Sequence, residues 1–95
     1  MKFTLIVPDA TMAIDGVGHQ INVSAAPSGL HAVQWYDTWG EEEWKDDRGR
    51  MVRNQEISSY APYQWAIDLW TQAEEAAQQP PPQTVSGDGT GPTVI

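Results

Sequence analysis

The chain has 95 residues, no cysteine, five tryptophans and a formal net charge of −8. This length fits one domain with a small core, and the lack of cysteine excludes disulfides and thiolate metal sites. Because an acidic surface repels phosphate and anionic lipid, direct binding to nucleic acid or to a membrane surface is not expected. No run approaches the roughly 18 apolar residues of a membrane span, and Lys2 with the short apolar run 3–7 does not form a signal peptide.

The N-terminal third of the chain alternates apolar and polar residues, as half-buried strands do. A first strand covers residues 3–7 and ends at Pro8-Asp9. A hairpin is predicted for residues 11–15 and 19–24, because the segment Asp15-Gly16-Val17-Gly18 between them contains two glycines that can adopt positive φ in a tight turn.

A second hairpin is predicted for residues 30–36 and 41–45, around the turn Asp37-Thr38-Trp39-Gly40. Alternation in the first arm directs Trp35 towards the core. The second arm contains three consecutive glutamates, which disfavour the interior of a sheet and suit an edge strand. Residues 51–57 give an ambiguous signal, compatible with a short strand followed by a loop.

Residues 60–78 have the spacing of an amphipathic helix. Its apolar stripe consists of Tyr63, Ala66, Ile67, Trp70, Ala73 and Ala77. Three prolines after Gln79 end the helix. The sequence therefore predicts an α+β fold over residues 1–79, with an antiparallel sheet of four or five strands and one C-terminal helix packed on it through Tyr63, Ile67 and Trp70. The Pro/Gly-rich tail at 80–95 is predicted to be flexible or docked on a partner.

No pattern indicates catalysis or a cofactor. His19 and His31 lack the spacing of metal ligands, although a hydrolase triad whose members meet only in space stays open. The acidic residues between 37 and 47 are Asp37, Glu41, Glu42, Glu43, Asp46 and Asp47. They are compatible with a calcium site, although their spacing differs from an EF-hand loop, or with a patch for a basic partner. The favoured interpretation is a solvated edge that blocks aggregation.

Two further segments are candidates for partner binding. Trp39 lies in a turn, where an exposed tryptophan either contacts a partner or packs back on its own domain. The end of the tail, Thr93-Val94-Ile95, can add a strand to a neighbouring chain, and disorder is the alternative. The predicted partner-binding residues are Trp39, Glu41, Glu42, Glu43, Thr93, Val94 and Ile95. Trp35, Trp39 and Trp44 together also suggest a platform for carbohydrate.

Several short segments resemble small proteins encoded in the tail modules of tailed bacteriophages and prophages, near tail-fibre genes. The segments are Ile14-Asp15-Gly16, residues 29–35, Gly40-Glu41 with Glu43-Trp44, residues 54–57 and residues 60–64. The resemblance covers roughly residues 12–70, and this chain departs from the pattern in the Trp39 turn and in the long tail.

The resemblance implies a non-enzymatic virion tail component or tail-fibre assembly factor, made in the host cytoplasm. Its implied partners are other tail proteins or copies of itself, with no small-molecule substrate. An acidic phage-encoded inhibitor of a basic host protein surface is the first alternative, and a carbohydrate-binding module is the second.

Overall fold

Six antiparallel strands and one C-terminal helix form the fold in the computed structural model, which describes residues 1–79. The strands are β1 (Lys2–Ile6), β2 (Thr11–Ile14), β3 (Val17–Gln20), β4 (Leu30–Tyr36), β5 (Gly40–Lys45) and β6 (Met51–Ile57), and a 3₁₀ turn (Ala61–Tyr63) leads into α1 (Gln64–Gln78). The strand order across the sheet is β3-β2-β1-β4-β5-β6. The predicted α+β class is confirmed, with more strands than expected. The predicted tail, with Thr93, Val94 and Ile95, lies outside the described residues.

Both predicted hairpins are present, and their turns follow from local backbone chemistry. Asp15 and Gly16 have φ of 48° and 88°, and two positive values are what a two-residue type I′ turn requires. The second arm of this hairpin ends at Gln20, earlier than predicted. The hairpin of β4 and β5 turns at Asp37, whose φ is 87°.

The prediction that Glu41–Glu43 form an edge strand is wrong, because β6 pairs with β5 along its full length. Strand β5 therefore lies inside the sheet, between β4 and β6. Its glutamates are tolerated there because every residue after Gly40 keeps partial exposure. The helix packs on β2 and β3, at the opposite end of the sheet.

The core lies between the helix and one face of the sheet, called here the helix side. Tyr63 and Ala66 are buried to 2% and 0% exposure, as the helical spacing predicts. Trp70 is partly buried against the core, and its Nε1–H donates to the backbone oxygen of Val17 at 2.8 Å. Ala77, predicted in the same stripe, is exposed. The opposite face of the sheet is called the open face.

One polar contact also joins the helix to the sheet. His19 of β3 and Glu74 of α1 share a hydrogen bond of 2.7 Å between Nε2 and Oε1. The ring of Trp70 packs edge-on against the imidazole, with ring centres 5.5 Å apart. The hydrogen bond from His19 lowers the pKa of Glu74 below its usual value. The ionised form of Glu74 is therefore favoured by folding.

We expect Glu74→Gln to destabilise the protein near neutral pH and to have less effect in acid. A carboxyl group whose pKa is lower in the folded state stabilises it above the unfolded pKa, about 4.3 for glutamate. That stability is lost as the pH falls through the folded pKa. Urea unfolding at about pH 7 and about pH 3 measures the difference, with the exposed Glu75→Gln as control. The expectation fails if Glu74→Gln costs the same free energy at both pH values.

Candidate interaction surface

The fold separates the acidic residues that the sequence presents as one cluster. Glu42 lies on the helix side, where its carboxylate accepts hydrogen bonds from the Tyr63 hydroxyl and from Trp44 Nε1, the latter at 3.1 Å. Burial, and then the bond to Glu42, raise the pKa of Tyr63, so its hydroxyl remains a donor at neutral pH. Glu42, one of the predicted partner-binding residues, thus forms its hydrogen bonds within its own domain.

Two other acids of the cluster hold turns in place. The Asp46 carboxylate accepts the backbone N–H groups of Arg48 and Arg50, each at 2.9 Å, and Arg50 Nε–H at 2.8 Å. These bonds, led by that from the Arg50 backbone, lower the pKa of Asp46. Asp37 accepts a hydrogen bond of 2.8 Å from the amino group of Met1. Both carboxylates are thus engaged in hydrogen bonds within the domain.

The remaining glutamates form an acidic row on the open face, defined here as Glu41, Glu43 and Glu56. Glu41 of β5 lies directly opposite Glu56 of β6. Like charges in such a pair are destabilising. Within residues 1–79, no ion pair compensates them. The fold thus keeps an unfavourable concentration of negative charge on this part of its surface.

Strand β6 forms one edge of the sheet and is the most exposed strand. Its residues from Met51 to Glu56 are all exposed, and the apolar Met51 and Val52 reach 52% and 59%. The guanidinium of Arg53 lies over the Trp44 ring, 4.8 Å from its centre. An edge strand offers unpaired backbone N–H and C=O groups to another strand. This edge lies directly beside the acidic row.

The tryptophans predicted as a platform do not share one surface. Trp35 is buried, and Trp44 lies with Glu42 on the helix side. Trp39 is 40% exposed and packs against Tyr36, with ring centres 4.8 Å apart. Tyr36 lies on the open face and is not among the predicted partner-binding residues. Because Trp35 points to the core, alternation along the strand already places its neighbour Tyr36 on the opposite face.

The described residues contain no candidate metal centre. No group of three or more His, Asp or Glu residues between positions 1 and 79 has a geometry that could hold a metal ion. His19 bonds to Glu74, while His31 is a half-buried residue of β4. None of the described helices has the length and apolar character needed to cross a membrane.

The surface that emerges combines the exposed edge β6, the acidic row and, beside the β4–β5 turn, the aromatic pair Tyr36–Trp39. Of these residues, the sequence singled out Trp39, Glu41 and Glu43. It missed Glu56, because the facing position of Glu41 is known only once β6 pairs with β5. The chain matches no model of a known protein family, no curated protein and no solved structure.

Proposed function

We propose that the protein is a non-enzymatic docking component that binds a protein partner along β6 and the acidic row. The observation that carries this proposal concerns residues 1–79: among them β6 has no strand on its outer side, and the facing Glu41–Glu56 pair has no ion-pair partner. A partner strand that adds to β6 gains backbone hydrogen bonds. Lys or Arg side chains on that strand relieve the repulsion between the glutamates.

In biological terms, we propose a component of a bacteriophage tail or a factor in tail-fibre assembly, located in the virion if it is a permanent part. The resemblance over residues 12–70 supports this role. The partner is then another tail protein or a second copy of the chain. Docking of Thr93, Val94 and Ile95 on a neighbour stays a prediction, because these residues lie outside the described part.

The second candidate function is inhibition of a basic host protein, and the acidic row is the observation that favours it. A surface rich in uncompensated carboxylates attracts a positively charged surface and accelerates association at low salt. Mass spectrometry of purified particles distinguishes the two functions. A constant amount of the chain per particle supports a structural part, whereas absence from particles supports an inhibitor or a transient assembly factor.

We expect replacement of all three residues of the acidic row by glutamine to reduce incorporation into particles severalfold. The reason is that the triple variant removes the charge that a basic strand recognises beside β6. Incorporation is quantified by mass spectrometry of particles assembled with wild type or variant. The binding that remains should also depend less on salt.

The matched control removes the same number of negative charges away from this surface, through Asp9→Asn, Asp68→Asn and Glu75→Gln. These three residues are exposed, and they lie in the β1–β2 turn and on the helix. Equal incorporation of the two triple variants would show that the acidic row has no specific role in docking. Normal melting of both variants confirms that the comparison concerns binding and not folding.

A further inference from the structure

A small pocket lies on the open face, in the half of the sheet away from β6. It has a volume of about 220 Å³. Its open-face lining consists of Lys2, Thr4, Ala13, Gly16, Gln34 and Tyr36. In the sheet register Thr4 lies between Ala13 and Gln34, and Lys2 is paired with Tyr36. The short side chains of Thr4 and Ala13 therefore leave a depression between longer neighbours.

The pocket presents hydrogen-bonding groups in fixed positions. The Thr4 hydroxyl donates to Gln34 Oε1 at 2.7 Å. This bond orients the Gln34 amide and leaves its two N–H groups available as donors, while the Thr4 oxygen retains acceptor capacity. Within residues 1–79, the Lys2 ammonium has no salt-bridge partner. A ligand in the pocket thus meets an amide, a hydroxyl and a cation.

An exposed aromatic pair lies next to the pocket: Tyr36 lines it, and Trp39 packs on Tyr36 without lining it. Tyr36 is 41% exposed, and Trp39 packs on it with the two rings inclined by 34°. The turn between them is held by a hydrogen bond of 2.7 Å from Tyr36 N–H to the Trp39 carbonyl. The positive φ of Asp37 belongs to this tight hairpin turn. The turn therefore holds Trp39 beside Tyr36.

We propose that this pocket binds one ring of a saccharide. The C–H groups on one face of a sugar ring carry partial positive charge and pack on the electron-rich face of Tyr or Trp. The hydroxyl groups of the sugar can accept hydrogen bonds from the Gln34 amide and the Lys2 ammonium, and they can donate one to the Thr4 oxygen. The pocket is smaller than the roughly 300–1,000 Å³ of sites for drug-sized ligands, which suits a single ring of a longer glycan.

Other ligand classes match these features less well. A nucleotide needs several cations for its phosphates, whereas the pocket lining contains only the cation Lys2 and the chain has a net charge of −8. Protein hot spots are centred on desolvated apolar contacts, whereas this pocket presents the polar groups of Lys2, Thr4 and Gln34 beside its apolar lining. The saccharide site contains no residue of the acidic row or of β6, although Gln34 lies directly opposite Glu41 in the sheet, so the two proposals need separate tests.

Titration of the ¹⁵N-labelled full chain with sugars tests the proposal. The probes are glucose, galactose, N-acetylglucosamine and glucuronate, each to about 50 mM, since a single ring in a small open pocket binds in the millimolar range. At least one sugar should shift the Trp39 indole N–H and the Gln34 side-chain amide signals saturably. Trp39→Ala and Gln34→Ala should each weaken that binding about tenfold or more. Glu56→Gln, on the same face but outside the pocket, should leave it unchanged.

Two independent variants keep the test decisive if one of them unfolds. The proposal is wrong if none of the four sugars shifts these signals. It is also wrong if the Gln34 amide shifts persist unchanged in Trp39→Ala and the Trp39 indole shifts persist unchanged in Gln34→Ala. It is also wrong if a protein partner perturbs Trp39 while the sugars do not, because the aromatic pair would then belong to the protein-docking surface. If Trp39→Ala and Gln34→Ala lose sugar binding but are incorporated into particles normally, the saccharide site is supported and the proposed docking function does not depend on it.

Discussion

Tyr63→Ala is expected to lower the free energy of unfolding by about 3–5 kcal/mol. The Tyr63 side chain is among the largest fully buried ones and belongs to the core cluster between helix and sheet. Its removal leaves a cavity and deprives the Glu42 carboxylate of a hydrogen-bond donor. Because a domain of this size is stable by roughly 5–15 kcal/mol, the loss is a large fraction of the total. Urea unfolding measures it directly.

Tyr63→Phe is the matched control, because it retains the ring and removes only the hydroxyl. We expect a smaller loss of about 1–3 kcal/mol, the cost of leaving a polar group without its partner. Combining Tyr63→Phe with Glu42→Gln in a double-mutant cycle isolates the coupling between the two side chains. If the Ala and Phe variants were equally destabilised, the ring would contribute little and its position in the core would be in doubt.

Gly40→Ala is expected to destabilise the protein by about 3 kcal/mol, at the upper end of the range for overpacking. A Cβ atom at this position would lie 2.5 Å from the backbone oxygen of Gln34 and 2.8 Å from Cε3 of Trp35. Neither neighbour moves easily, because Gln34 is paired within an inner strand and Trp35 is buried. Thermal unfolding followed by circular dichroism measures the loss.

Gly18→Ala provides the control for Gly40, since it also places a methyl group on a strand. There the nearest atom to the new Cβ is Cβ of Ala13, at 4.0 Å. We expect a change within about 0.5 kcal/mol, as for ordinary surface substitutions. Similar melting temperatures for the two variants would contradict the close approach of Trp35 to Gly40.

The parts of the fold that sequence predicts are those specified locally. The Asp15-Gly16 turn and the spacing of Tyr63 and Ala66 need only neighbouring residues, and both predictions are confirmed. Strand β6 was ambiguous because both of its faces are exposed, so its sequence lacks alternation of apolar and polar residues. Its strand conformation depends on pairing with β5, and no local sequence pattern predicts that pairing.

The candidate surface likewise has features that neighbouring residues predict and features that depend on residues distant in sequence. Alternation along β5 already implies that Glu42 points away from Glu41 and Glu43, but it does not say which side faces the helix. The pocket lining depends on the pairing of Lys2 with Tyr36, which joins distant parts of the chain. Trp39 could be singled out from its turn alone, whereas its contact with Tyr36 requires the closed hairpin.

The strand order also has a consequence for how the chain reaches this structure. Strands β1 to β3 form one meander and strands β4 to β6 another, and each pairs only strands that follow one another in sequence. In the sheet formed by residues 1–79, only the β1–β4 pairing joins the meanders, with Leu5 opposite Val33 across the junction. Because closing a long loop is the slow and entropically costly event in folding, sheet formation requires only one such closure. The β1–β4 junction should therefore limit the folding rate, while each meander forms quickly on either side of it.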